Sequence, residues 1–120
     1  MAGTGVTNTL FVDVDDTLIL WDDAPEGRLS TTWHPNADVI AAIDLWKGPV
    51  VIWSTGGALY AQQRAEEVLP PEVLSKVTGY DAKWPRWVDD GDMFIDDDPM
   101  SSFAAATVHP ADLDLPEMSR

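Results

Sequence analysis

A chain of 120 residues with an apolar fraction of 45% is long enough for one domain with a real core, and no stretch of it is apolar enough to span a membrane. Seven Lys and Arg against 21 Asp and Glu give a formal net charge of −14, which argues against an extended nucleic-acid-binding surface, since such surfaces rest on clustered basic side chains. The absence of cysteine excludes disulfides, thiol catalysis and cysteine-based zinc sites; with no charged-then-apolar leader pattern, a cytoplasmic protein with no membrane partner is expected.

The first predicted element is a buried strand over Thr9 to Val14. It lies in the stretch LFVDVDDTLIL, residues 10 to 20, which sets Asp13, Asp15 and Asp16 within four positions of one another. Three close carboxylates at a strand end repel one another and are poorly hydrated, so a positive partner, most simply a metal ion, is expected beside them. Residues 21 to 35 mix Asp, Pro, Gly, Ser and Thr with Trp21 and Trp33, the composition of a loop or a small β-flap. Pro35 and Asn36 then precede a helix with Val39, Ile40, Ile43 and Trp46 on one face, and Lys47, Gly48 and Pro49 stop it.

Pro49 to Trp53 reads as a second buried strand ending in Ser54-Thr55-Gly56-Gly57, and a second helix is expected from about Ala58 to Leu69, closed by Pro70-Pro71. Glu72 to Val77 reads as a short helix or turn, followed by an irregular stretch through Trp84 and Trp87. Met93-Phe94-Ile95 is a brief apolar strand running into Asp96-Asp97-Asp98-Pro99. Ser101 to Ala106 reads as one or two helical turns, Thr107 to His109 as a last small strand, and about 110–120 as a flexible tail. Strands alternating with helices imply an α/β fold, a three-layer Rossmann-like parallel sheet with helices on both faces, in a single domain with its core at about 9–109. The polar clusters all fall at the carboxyl ends of strands, where open α/β sheets bind ligands.

Together D-V-D-D-T at residues 13 to 17, Ser54-Thr55, a lysine and Asp96-Asp97-Asp98 make a set of carboxylates, hydroxyls and one cation. Carboxylate oxygens favour a hard ion such as Mg²⁺. A helix–loop–helix calcium loop does not fit, because Leu18 stands at the sixth position, where Gly is required, and Ala24 at the twelfth, where Glu is required. His34 and His109 lie in no metal-ligand pattern and read as structural.

These motifs resemble those of the haloacid dehalogenase (HAD) superfamily of aspartate-dependent phosphatases. An apolar strand running into D-x-D-x-T stands here as Phe11-Val12-Asp13-Val14-Asp15-Asp16-Thr17. A Ser or Thr closing the next strand matches Ser54, with Thr55 as the alternative; a strand ending in paired acids matches Phe94-Ile95-Asp96-Asp97. The motif lysine upstream of that strand is Lys83, in preference to Lys76. The resemblance implies that Asp13 is the nucleophile, forming an aspartyl-phosphate, and that Asp15 is the general acid and then the base. It implies Mg²⁺ held by Asp13, the backbone carbonyl of Asp15 and Asp96, with Asp97 as a further ligand or as support for one. Ser54 and Lys83 would hold the phosphoryl group, with Asp16, Thr17 and Thr55 as further candidate phosphate-binding residues. Thr17 is expected to orient the turn through its hydroxyl, and Asp16 to face water.

Only about 36 residues separate Thr17 from Ser54, too few for the cap domain that many HAD enzymes insert. A capless member with an open site is therefore implied, suited to phosphate on a nucleotide, a nucleic-acid end or a phosphoprotein. The segment WSTGGALYAQ is similar to the capless protein-phosphatase branch, where a Tyr-Ala pair follows the strand-closing Ser or Thr. Trp21 and Trp33 flank the expected flap, where packing is the default role and stacking on a substrate ring the alternative. Two rival readings are a receiver-like phospho-accepting module and a degenerate HAD protein that binds without turnover. In receivers, however, the acceptor Asp ends a middle strand and the lysine follows the acids, the reverse of the order here.

Overall fold

The computed structural model describes residues 8–23, 30–83, 92–98 and 107–118. In chain order the elements are β1 (Leu10–Asp13), β2 (Ile19–Trp21), β3 (Trp33–Pro35), α1 (Ala37–Leu45), β4 (Val50–Ser54), α2 (Ala58–Val68), α3 (Pro71–Leu74), β5 (Val77–Ala82), β6 (Met93–Ile95), β7 (Thr107–Val108), a 3-10 turn over Pro110–Asp112 and α4 (Leu115–Met118). The unbroken apolar runs LFV, VVIW and MFI suit strands covered on both faces, and they form the centre of a five-stranded parallel sheet in the order β5-β4-β1-β6-β7.

That order places the polar strand ends. The chain runs outward from β1 through β4 to β5, then returns to β6 on the other side of β1 and continues outward to β7. Its direction therefore reverses between β1 and β6, the crevice where doubly wound sheets take ligands. Register sets what meets there: Val12 lies beside Ile95, so the next residues, Asp13 and Asp96, leave their strands side by side.

The alternation of side chains along each strand divides the core in two. Leu10, Val12, Val50, Ile52 and Ile95 pack with Val39 and Ile43 of α1, Ala61 and Ala65 of α2, Val73 of α3 and Met118 of α4. All the described helices therefore share one face. On the other, Phe11, Trp53 and Phe94 form a buried aromatic cluster with ring centroids 4.7 to 5.5 Å apart. The one or two helical turns expected at Ser101 to Ala106 lie outside the described residues, as does the stretch through Trp84 and Trp87. No described helix is long and apolar enough to cross a membrane.

Locally the helix starts follow their sequence signals. Asn36 caps α1, its side-chain oxygen accepting from the Asp38 N–H at 3.2 Å. Trp46, at the other end, donates its indole N–H to the Asn8 carbonyl at 3.0 Å. The loop-or-flap segment resolves into an antiparallel pair, β2 with β3, in which Trp21 faces Trp33.

Two expectations are corrected. The segment after Val77, expected to be irregular, is the six-residue strand β5 at the sheet edge. Its register shifts at Val50, where Thr78 Oγ1 accepts from the Val50 N–H and donates to the Val50 carbonyl. That side-chain bond replaces part of the ladder, so a polar residue sits where alternation alone would not place a strand. Residues 110–118, expected as a flexible tail, instead form helical turns, with Pro110 and Met118 buried. Met118 joins the core that α1 covers, and the apolar area it buries holds α4 down.

Candidate active site

After Asp13 the chain leaves β1 in a single tight turn. The Thr17 N–H donates to the Val14 carbonyl at 3.2 Å and the Leu18 N–H to the Asp13 carbonyl at 3.2 Å. Asp16 takes a left-handed conformation (φ 57°), which Asp tolerates better than most residues, and its side chain faces solvent. This one turn brings Thr17, four residues on, back beneath Asp13. The buried Thr17 hydroxyl lies 3.2 Å from Asp13 Oδ2 and 3.4 Å from Asp97 Oδ1, and it accepts the Asp97 N–H at 3.1 Å. Thr17 thus pins the end of β1 to the end of β6.

Lys83 follows β5 directly, its N–H donating to the Ser54 carbonyl at 2.9 Å. Its ammonium reaches Asp13 Oδ1 at 2.9 Å and Asp96 Oδ2 at 2.7 Å, with all three side chains buried. Lys76, the other candidate, instead pairs with Asp44 at the surface. Burial opposes the charge of Lys83, but the contacts with Asp96 and Asp13 outweigh it and raise the pKa above the ordinary lysine value. For Asp13 the balance runs the other way. Burial, then the Asp97 contact and the Asp96 charge, outweigh Lys83 and push the carboxyl up to about 7.

Asp13, Asp96 and Asp97 each offer a carboxylate oxygen, all within 4.8 Å of one another, a group able to hold a metal ion. Three carboxylates against one ammonium leave a formal surplus of two negative charges, the charge that one divalent cation balances. The donors are all hard oxygens, with no imidazole or thiolate among them, so the set suits hard divalent cations, Mg²⁺ among them.

The Asp15 carboxylate is not in that group. Its Oδ1 accepts from the Tyr60 hydroxyl at 2.7 Å and from the Trp21 indole N–H at 3.0 Å. The Arg64 guanidinium lies over the Trp33 ring (5.1 Å) and the Tyr60 ring (5.2 Å). Trp21 and Trp33 are thus engaged in packing the hairpin onto α2. Ser54 is buried at the tip of β4, where its Oγ accepts the Gly56 N–H at 3.0 Å and keeps its own proton to donate. Thr55 is exposed on the same turn. The structure therefore brings Asp13, Thr17, Lys83, Asp96 and Asp97 into one cluster and sets Asp15 beside it in its own hydrogen-bonded seat. Sequence reasoning missed Tyr60 and Trp21 as partners of Asp15, because no spacing rule links residues that meet only through the fold. No protein-family model, curated protein or solved structure matches the chain.

Proposed function

We propose that this chain is a Mg²⁺-dependent phosphomonoester hydrolase of the HAD type that works through an aspartyl-phosphate on Asp13. The observation that carries the reading is the buried Asp13 at the tip of the central strand, sharing Lys83 with Asp96 and tied through Thr17 to Asp97. Apolar replacement of a buried charge cluster is often neutral or stabilising, so folding alone gives little reason for this one. Asp13 supplies the carboxylate that attacks phosphorus, which splits hydrolysis into two easier steps. Asp15 donates a proton to the leaving oxygen and then takes one from the attacking water. Ser54 and Lys83 hold the phosphoryl oxygens and neutralise charge that develops there.

Asp13, Asp96 and Asp97, with the Asp15 backbone carbonyl, would hold the Mg²⁺. When bound, the ion supplies positive charge that lets one anion approach another. Between Thr17 and β4, which ends in Ser54, the described residues contain only the β2–β3 hairpin and α1, which supports a capless enzyme open to phosphate on a nucleotide, a nucleic-acid end or a phosphoprotein.

The test is release of p-nitrophenol from p-nitrophenyl phosphate in the presence of Mg²⁺. Wild-type protein turns over, chelation of the ion stops it, and Asp13→Asn abolishes turnover while retaining the far-UV spectrum of a folded chain. Wild-type-like rates from Asp13→Asn would refute the assignment. Stable labelling by acetyl phosphate, without product release, would favour a phospho-accepting module instead.

A further inference from the structure

Asp15 is held by two donors from two different elements, and both bond the same oxygen. The Tyr60 hydroxyl, from the first turn of α2, and the Trp21 indole N–H, from β2, both donate to Oδ1 at 2.7 and 3.0 Å. No hydrogen bond to Oδ2 is present among the described residues. The two donors are themselves braced. Trp21 faces Trp33 across the hairpin, and Arg64, one turn along α2 from Tyr60, places its guanidinium over both the Trp33 and the Tyr60 rings. Hairpin, helix and carboxylate therefore form one unit, in which neither donor can shift without disturbing the other.

We infer that Tyr60 and Trp21 are positioning residues for the proton-transfer step, fixing Asp15 by Oδ1 so that Oδ2 alone carries the proton exchanged with the substrate. This inference rests on the phosphatase reading above and adds to it. A carboxyl group has two oxygens and a free rotor; two donors to one oxygen select the rotamer and stop the proton from residing on that oxygen, where it would clash with a donor hydrogen. In the first half-reaction Asp13 forms a bond to phosphorus as the bond to the leaving oxygen breaks. The electron pair of that bond goes to the leaving oxygen, which takes the proton from Asp15 Oδ2. In the second, Oδ2 takes a proton from water as the water oxygen bonds phosphorus and the Asp13–phosphorus bond breaks, returning its electron pair to the carboxylate. Both transfers need the same oxygen within hydrogen-bond reach of the reacting group.

Tyr60→Phe keeps the ring over which Arg64 lies and removes only the hydroxyl; Trp21→Phe keeps an aromatic side chain in the hairpin and removes the indole N–H. The experiment compares kcat/KM, which reports the first half-reaction, for two esters in the presence of Mg²⁺. Phenyl phosphate has a leaving oxygen that needs a proton, whereas 2,4-dinitrophenyl phosphate has one that does not. In each variant the ratio of kcat/KM for phenyl to that for dinitrophenyl phosphate falls about tenfold from wild type. An equal loss of kcat/KM on both esters, or a ratio within twofold of wild type in both variants, would overturn the positioning role while leaving the phosphatase reading intact. A wild-type protein that hydrolyses neither ester would overturn the phosphatase reading itself.

Discussion

Asp13 shows how a buried cluster sets pH behaviour. Its carboxyl, pushed up to about 7 from an ordinary value of 3.8, binds a proton more tightly in the folded chain than in the unfolded one. The stability it contributes is therefore fully present below 3.8 and is lost as pH rises through 7. The thermal midpoint of the ion-free protein should fall between about pH 4 and 7 more steeply in wild type than in Asp13→Asn, whose side chain does not titrate. The difference between the two curves reports Asp13 together with its interactions with Asp97, Lys83 and Asp96. Parallel curves would show that the site carries no such penalty. The same substitution that ends turnover is thus expected to stabilise the ion-free fold at high pH, as when a functional group is kept at a cost in stability.

Among the elements, the turn between β4 and α2 is the most constrained by its residue types. Gly57 begins α2 with φ 104° and ψ 167°, a region open in practice only to glycine, and no side chain caps the helix there. Gly57→Ala should lower the unfolding free energy by about 1–3 kcal/mol, read from urea denaturation, although an added Cβ would meet nothing within 4 Å. The cost is conformational, so a larger cavity nearby would not relieve it. Gly57, like the strands β1, β4 and β6, was visible in the sequence because apolar runs and turn residues act locally. The ends of those strands also located Asp13, Ser54, Asp96 and Asp97. The element that delivers Lys83 was not visible: β5 carries Thr78, Gly79 and Asp81, and only its pairing with β4 makes it a strand. Nor was the helical end of the chain, because residues 110–118 gain their order from burial of Met118 rather than from propensity. The seat of Asp15 was invisible for a similar reason, since Tyr60 and Trp21 converge only once hairpin and helix dock.

For the molecule as a whole, a net charge of −14 means that any cation should help to some degree. Screening and binding are separable. At constant ionic strength, replacing sodium chloride with magnesium chloride should raise the thermal midpoint of wild type by several degrees, since about 2.7 kcal/mol accrues at a hundredfold excess over Kd. Asp96→Asn should lose that increment and keep the response to sodium chloride; an equal response to both salts in wild type would reduce the effect to screening. The strand order has a consequence for synthesis as well. The carboxylates beside Asp13 come from β6, which joins the sheet only after β4 and β5 have been made on its far side. A nascent chain that stalls on the ribosome before Asp96 would already hold Asp13, Asp15, Ser54 and Lys83, yet lack the acids that complete the ion site. On the proposed reading, translation products truncated before Asp96 are inert by construction, and chemistry starts only once Asp96 and Asp97 have emerged.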